Sequence, residues 1–312
     1  MNLEEAENLM NDFYFHCQYE KNLSEKTLKA YKIDHKQFLD YCVQSYSRSP
    51  FSEIDKQIIK GYLKFISGRY KPKTIKRKIA SLKSFFNYLE YEDIIVVNPF
   101  RKIRINIKEG RQVPRTIETS VIRRLFKHLY RLEDEFGNRS KYAYRALLRD
   151  IAVLELLFST GVRVSELCNL KEADVDLTSR SLRILGKGNK ERIVPICTPE
   201  TTTALRSYFQ EFRNEIQGSG FFFINRLSNR LSEQSVRLMI KKYISQLDLS
   251  ENITPHMFRH SVATLLMENE VDIRYIQSLL GHSSINTTQI YLQVNKKTQR
   301  KILTKKHPRA KL

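Results

Sequence analysis

The chain has 312 residues, enough for about two domains that each bury a core of their own. Its 54 basic and 34 acidic side chains give a net charge of +20, which favours a polyanionic partner such as nucleic acid or an anionic membrane surface. No apolar run reaches the roughly 18 residues of a membrane-spanning helix, and the acidic start MNLEEAENLM lacks the pattern of a signal peptide. We therefore expect a cytoplasmic protein that binds nucleic acid and not membrane.

The first hundred residues have helical periodicity, with Ser24 as a candidate N-cap of the first long helix. The clearest pattern is KPKTIKRKIASLKSFFNYLEY, at 71–91, whose apolar residues form one stripe: Ile75, Ile79, Leu82, Phe86 and Leu89. Its cations lie off that stripe: Lys73, Lys76, Arg77, Lys78 and Lys83. Because no acidic residue occurs between 69 and 83, we interpret these cations as a surface that contacts the DNA backbone. The alternative is an ordinary solvated helix face.

A basic connector follows this helical region. NPF at 98–100 ends the region, and RKIRINIKEGRQVPRT then indicates an extended segment. Residues 1–50 carry 6 basic and 8 acidic side chains, whereas residues 51–117 carry 16 basic and 6 acidic ones. We predict an N-terminal DNA-binding domain at 1–105, a basic linker at 106–117 and a second domain at 118–312.

The second domain is predicted to be mostly helical with a short β insertion. LLRDIAVLELLFSTG is typical of a buried helix that ends at Gly161. Alternating segments on either side of 186–190 indicate a β-hairpin. Further helices are predicted in LSEQSVRLMIKKYISQL, with Ser232 as its cap, and in SSINTTQIYLQVNKKTQRKIL, which contains Tyr291.

Two cations lie where the backbone is interrupted. Arg163 follows Gly161 and precedes a new helix, a position suited to holding an anion, although a salt bridge to Glu166 is an equally simple role. Lys187 lies in GKGNK at the hairpin tip, where flanking glycines allow close approach to a ligand. The alternative for Lys187 is a solvated turn residue.

A second group of polar residues lies in the last sixty residues. His256 and Arg259 are one helical turn apart and share a face, whereas His260 points elsewhere and is interpreted as a core histidine. His282 follows a glycine at a helix end, where a capping or core role is common. Tyr291 is one of sixteen tyrosines, and a phenol with a pKa near 10 is a poor nucleophile without nearby cations or a base.

Nothing in the pattern predicts a metal or another cofactor. The four cysteines are far apart and form no CxxC pair, so we expect buried free thiols in a reducing compartment. The histidines do not form an HExxH motif, and no third ligand follows at metal spacing.

Four segments resemble the successive signature motifs of the tyrosine recombinases, or phage integrases, and of their Xer-type members in particular: TGVRVSEL, GKGNKER, HMFRHSVATLL and LLGHSSINTTQIY. SEKTLKAYKIDHKQFLDY and KTIKRKIASLKSFFNYL resemble the N-terminal core-binding domain of that family. The resemblance implies a mainly α fold, with a SAM-like helical domain and a mostly α catalytic domain that contains a small antiparallel β-sheet. The two domains would form a C-shaped clamp around duplex DNA.

The resemblance also implies roles at the scissile phosphate. Arg163, Arg259 and His282 would bind its non-bridging oxygens, and Glu166 would orient the site. Two guanidiniums offset the phosphodiester charge with matching geometry, so a metal is not required.

The remaining implied roles concern proton transfer and attack. Tyr291 would attack the phosphate and form a 3′-phosphotyrosyl bond, while His256 assists removal of its proton. Lys187 would protonate the departing 5′ oxygen. The covalent bond keeps the ester energy, so rejoining needs no ATP.

The expected partner is double-stranded DNA, bound by a dimer at each site and by a tetramer during recombination, either alone or with a related recombinase. Chromosome dimer resolution and mobile-element integration both remain open. Two other functions are considered: DNA relaxation of the type IB topoisomerase kind, and DNA binding without catalysis. The complete set of implied catalytic residues argues against the second of these.

Overall fold

The computed structural model describes most of the chain, in five ranges: 3–46, 54–108, 115–136, 141–186 and 191–281. The chain divides into two compact units, Met1–Arg111 and Gln112–Leu312. Each unit has a hydrophobic core of its own. Among the described residues, no helix has both the length and the apolar character needed to cross a bilayer.

The first unit is helical in its described parts. Its elements are α1 (Leu3–Phe15), a π-helical turn (His16–Glu20), α2 (Glu25–Tyr46), α3 (Lys56–Ser67) and α4 (Pro72–Tyr91). Ser24 caps α2 as predicted, since its hydroxyl accepts from the backbone N–H of Thr27 at 3.3 Å. The predicted apolar stripe of α4 is fully buried against the rest of the unit, which confirms the helical period.

One predicted cation of α4 does not face solvent. Lys78 is only 3% exposed, and its Nζ donates to Asp34 Oδ1 on α2 at 2.9 Å. The prediction that Lys78 belongs to a DNA-contacting surface is therefore wrong. The buried carboxylate of Asp34 also accepts from Arg77. An acidic side chain therefore pairs with two of the predicted cations, although none occurs between 69 and 83 in the sequence.

The second unit is built from helices around α6. The helices in its described parts are α5 (Thr119–Phe136), α6 (Lys141–Thr160), α7 (Val164–Cys168), α8 (Pro199–Glu211), α9 (Arg213–Ser219), α10 (Glu233–Ser245), α11 (Pro255–Glu268) and α12 (Ile273–Leu280). The apolar α6 packs against α5, α8 and α11, so it occupies the centre of this core. Ser232 caps α10 as predicted, by accepting from the backbone N–H of Ser235.

Within the described part of the second unit, three short strands form an antiparallel sheet in the order β1-β2-β3. They are β1 (Val175–Asp176), β2 (Ser181–Leu185) and β3 (Glu191–Pro195). Leu185 pairs with Glu191 across the β2–β3 hairpin, which confirms the predicted hairpin around 186–190. The mainly α architecture with a small antiparallel sheet is confirmed. The predicted helix that contains Tyr291 lies outside the described residues.

A sharp break after α6 positions the first candidate site residue. α6 ends at Thr160, and Gly161 adopts a left-handed conformation with φ of +63°. Most other residues disfavour that conformation, so glycine ends the helix here. The chain then turns into α7, whose N-cap residue is Arg163.

Candidate active site

Arg163 lies at the start of α7 and is held by Glu166 one turn later. The Glu166 carboxylate accepts from Arg163 Nη1 at 2.8 Å and from the Arg163 backbone N–H at 2.9 Å. Arg163 Nη2 donates to the carbonyl of Gly281 at 3.2 Å. The Arg163 side chain is nevertheless 35% exposed, so the salt bridge leaves part of the guanidinium open to solvent.

Arg259 is the most enclosed cation of the site. It lies on α11, is 5% exposed, and donates from Nη1 to the carbonyl of Gly161 at 2.9 Å. Its Nη2 donates to the carbonyl of Leu280 at 2.6 Å. Arg259 therefore links the end of α6 to the end of α12, which are distant in sequence.

The two histidines of α11 differ in their environment. His256 is exposed, whereas His260 is half-buried, and their ring centroids are 6.1 Å apart. Burial lowers the pKa of His260 to about 4, and the neighbouring His256 and Arg259 act in the same direction. His260 is therefore neutral at pH 7, although it is half-buried and not fully within the core as predicted.

Arg192 on β3 is a site residue that the sequence did not single out. Its Nη1 and Nη2 donate to the two carboxylate oxygens of Glu166 at 3.1 and 2.7 Å, and its Nε donates to the carbonyl of Leu279 at 3.0 Å. One signal was available, because strand alternation places Arg192 on the same face as buried Val194. A cation on the inward face of a strand indicates a buried acceptor.

Three arginines thus meet at the C-terminal end of α12. The consecutive carbonyls at 279–281 accept from Arg192, Arg259 and Arg163 respectively. The last carbonyls of a helix lack partners within the helix and carry partial negative charge, so guanidiniums satisfy them well. The arginines come from three separate elements, and the end of α12 is their common acceptor.

Glu166 is the carboxylate that balances this cluster. Burial raises the pKa of Glu166, but hydrogen bonds from Arg192 and from the Arg163 backbone outweigh that effect and lower it. Glu166 is therefore ionised, and one negative charge is shared by two guanidiniums. With Arg259 nearby, the cluster keeps an excess of positive charge, which suits an anionic ligand.

Lys187, His282 and Tyr291 lie outside the described residues. The last described residue, Gly281, immediately precedes His282 in the sequence. The residues that the structure does describe contain no group of three or more histidine, cysteine or acidic side chains that could hold a metal ion. All four cysteines are free thiols; Cys197 is exposed, contrary to prediction, and the other three are buried.

The predicted DNA-contacting residues of α4 differ in exposure. Lys73 and Lys76 are exposed, and Arg77 keeps 43% of its side chain accessible although it pairs with Asp34. Lys83 is half-buried, with its Nζ 6.0 Å from the centre of the Phe100 ring.

Comparisons with known proteins assign the family. The model of the phage integrase family matches residues 102–298, and the model of the phage integrase N-terminal SAM-like domain matches residues 10–93. The chain belongs to the phage integrase family. The predicted SAM-like and catalytic domains of a tyrosine recombinase are thereby confirmed.

Curated relatives match along nearly the whole chain. A tyrosine recombinase of Agathobacter rectalis is 46% identical and covers 96% of each chain. A XerC recombinase of Syntrophus aciditrophicus is 35% identical, covering 97% of this chain and 98% of its own. A XerD recombinase of Listeria innocua is 34% identical, covering 97% and 99% respectively.

Solved structures share the fold at low sequence identity. The XerH site-specific recombinase bound to its palindromic difH substrate has a TM-score of 0.74 at 21% identity, covering 95% of this chain and 84% of its own. A lambda integrase dimer bound to a COC′ core site has a TM-score of 0.64 at 17% identity, covering 91% and 94%. The recombinase fold is therefore common to these chains.

Proposed function

We propose that this tyrosine recombinase cuts and rejoins duplex DNA at specific sites through a 3′-phosphotyrosyl bond formed by Tyr291. The observation that carries the proposal is the convergence of Arg163 and Arg259 on the end of α12. These two arginines belong to different signature motifs, yet both donate to carbonyls at 280–281. Adjacent acceptors at one helix end bring the two guanidiniums together in one electropositive site.

The arginines and His282 would bind the non-bridging oxygens of the scissile phosphate. A guanidinium has five N–H donors in a fixed plane and forms paired contacts with phosphate oxygens. Arg163 is 35% exposed, which gives a phosphate access to it. Charge that develops in the transition state would meet donors that are already oriented, so little reorganisation would be needed.

Proton transfer would involve residues on either side of the phosphate. His256, exposed on the same helix as Arg259, would accept the proton of Tyr291 as the phenol attacks. Lys187 would give a proton to the departing 5′ oxygen. The phosphotyrosyl bond stores the energy of the broken ester, so a DNA 5′ hydroxyl can reverse the step without ATP.

Duplex DNA is the substrate that the net charge of +20 favours. We place DNA binding in residues 1–105, with Lys73, Lys76, Arg77 and Lys83 on its contact surface, a linker at 106–117 and catalysis in 118–312. A dimer would occupy each site, and a tetramer, alone or with a related recombinase, would join two sites. The reaction would take place in the cytoplasm and needs no metal or organic cofactor.

A trapping experiment tests the nucleophile. The preferred duplex is first selected by the protein from a randomised library, and then prepared with a nick that lets the cleaved fragment diffuse away. The wild-type chain should form a covalent adduct visible on a denaturing gel, and Tyr291→Phe should form none. The matched control is Tyr275→Phe, which removes a phenol from an exposed position of α12 and should leave the adduct unchanged. An adduct with Tyr291→Phe would contradict the assignment.

A second assay separates recombination from relaxation. Plasmid that lacks the selected site is incubated with the protein, and loss of supercoils is followed over time. A site-specific recombinase should relax this plasmid much more slowly than one that carries the site. Equal rates on both plasmids would favour a topoisomerase-like activity instead.

A further inference from the structure

Arg192 is the one arginine of the cluster that the proposed chemistry does not use. It is 13% exposed at its side chain, and three of its nitrogens donate to acceptors that also matter to the other arginines. Two of its hydrogen bonds reach Glu166, which holds Arg163, and the third reaches Leu279, next to the carbonyl held by Arg259. Its position is therefore central to the arrangement without being open to a ligand.

We propose that Arg192 is a positioning residue for DNA cleavage, which acts through Glu166 on Arg163 and through α12 on Gly281. This inference rests on the proposed function, because it assigns Arg163 to the scissile phosphate. In this proposal Arg192 does not bind the phosphate itself, because its Nε, Nη1 and Nη2 already donate to Leu279 and Glu166. Arg192 acts on the net charge around Arg163 and on the position of the Arg163 side chain.

The first part of the effect is electrostatic. Glu166 carries one negative charge and is paired with both Arg163 and Arg192. With Arg192 present, the three groups together keep one net positive charge, which Arg163 can direct to a phosphate. Without Arg192, Glu166 and Arg163 would form a simple ion pair of zero net charge, and the attraction of Arg163 for a dianionic transition state would fall.

The second part is geometric. A Cβ on Gly281 would lie 2.9 Å from Arg192 Nη1 and 3.0 Å from Arg192 Cζ, so the guanidinium packs directly on the Gly281 backbone. Gly281 is left-handed, with φ of +65°, and its carbonyl accepts from Arg163. Arg192 therefore contacts both residues that accept hydrogen bonds from the Arg163 guanidinium, which are Glu166 and Gly281.

A brace that only stabilises the fold would behave differently from a positioning residue. It would lower stability and amount of folded protein, and it would affect charged and uncharged substrates alike. A residue that sets the effective charge of Arg163 should matter most where the substrate is negatively charged at the scissile linkage. The substrate can therefore separate the two roles.

The variants are Arg192→Ala, Arg192→Lys and the control Arg183→Ala. Arg183 lies on β2, the strand that pairs with β3, and forms its ion pair with Asp174 at 3.0 Å.

The rate of adduct formation is measured in a single turnover, with saturating protein on the nicked selected duplex, together with the Kd for that duplex. Arg192→Ala should lower the rate by up to about 100-fold, the cost of misplacing a reacting group by about 1 Å. Its Kd should stay within about twofold, because backbone contacts elsewhere dominate affinity. Arg183→Ala should leave both values near wild type.

Lysine at position 192 should recover part of the lost rate. It restores the positive charge, but a single ammonium cannot reproduce the planar two-nitrogen contact with both oxygens of Glu166. A rate between those of wild type and Arg192→Ala is therefore expected. A lysine variant no faster than the alanine variant would contradict the charge argument.

The deciding comparison uses a duplex with a methylphosphonate at the linkage where the adduct maps. This linkage is neutral, so it needs less charge neutralisation by Arg163, and the defect of Arg192→Ala should shrink to within about threefold of wild type. An equal defect on the charged and neutral linkages would overturn the inference and leave Arg192 a structural brace. If Arg192→Ala unfolds at the assay temperature, the same ratio measured for Arg192→Lys decides the matter. Absence of any adduct with the wild-type chain would instead overturn the proposed function, and this inference with it.

Discussion

Arg259 Nη1 donates a hydrogen bond of 2.9 Å to the carbonyl of Gly161, a residue 98 positions earlier in the chain. The carbonyl is available because Gly161 is left-handed and ends α6. The same arginine donates to Leu280, so the break after α6 and the end of α12 are tied to one guanidinium. The conformation of Gly161 should therefore affect both stability and catalysis.

Gly161→Ala should destabilise the second unit more than Gly220→Ala does. Both glycines are left-handed, and an alanine there costs about 1–2 kcal/mol of backbone strain. A Cβ at 161 would also lie 2.8 Å from Leu280 Cδ2, whereas one at 220 would meet no described atom within 4 Å. Overpacking should add about 1–3 kcal/mol at 161 only. Urea unfolding of both variants measures the difference, and equal losses would show that the Leu280 contact yields without cost.

Arg259→Lys should abolish most adduct formation although it keeps the charge. A lysine cannot donate to Gly161 and Leu280 in the fixed geometry of the guanidinium and also present a flat edge to a phosphate. Loss of one preorganised donor of this kind costs about 100-fold or more in rate. Single-turnover trapping measures it, with Arg274→Lys at an exposed position of α12 as the control. A rate within a few fold of wild type would mean that charge alone suffices at 259.

Lys78 and Lys73 lie five residues apart on α4, but their substitution should change different properties. Lys78 should affect stability, whereas Lys73 should affect DNA binding. Lys78→Ala removes a buried partner of Asp34 and should cost roughly 1.5–3 kcal/mol of stability, the range for a hydrogen bond to a charged group. Lys73→Ala, at an exposed position, should leave stability unchanged and reduce the salt dependence of DNA binding by about one ion. Urea unfolding and a salt titration of DNA affinity check the pair. Unchanged stability of Lys78→Ala would contradict the role of the buried ion pair.

These examples show which features the sequence could predict. The apolar stripe of α4 was predictable because helical period depends on neighbouring residues alone. The burial of Lys78 was not, because Asp34 lies 44 positions away on another helix. Arg192 was missed for the same reason, since it is 26 positions from Glu166 and 87 from Leu279. Arg192 ends the segment GKGNKER, which resembles a signature motif, but the motif alone does not show what Arg192 contacts. Its contacts become visible only when distant elements are brought together.

The first unit should also lose stability as the pH falls, because of one buried histidine. His35 on α2 is fully buried, packs against Phe13 and Phe85, and has its Nδ1 3.2 Å from the hydroxyl of Tyr14. Burial lowers the pKa of His35 to about 4, against smaller opposing effects of a Ser81 backbone hydrogen bond and of Asp34.

The sign of the effect follows from proton binding. Between about pH 6.5 and pH 4, the unfolded chain takes up a proton at His35 while the folded chain does not, so acid favours unfolding. The loss should be roughly 2 kcal/mol between pH 7 and pH 5. Amide hydrogen exchange of α2 and α4 at the two pH values measures it locally. His35→Phe, which suits the aromatic surroundings and cannot titrate, should remove this part of the pH dependence. If wild type and His35→Phe lose the same free energy between pH 7 and pH 5, His35 is not the group responsible.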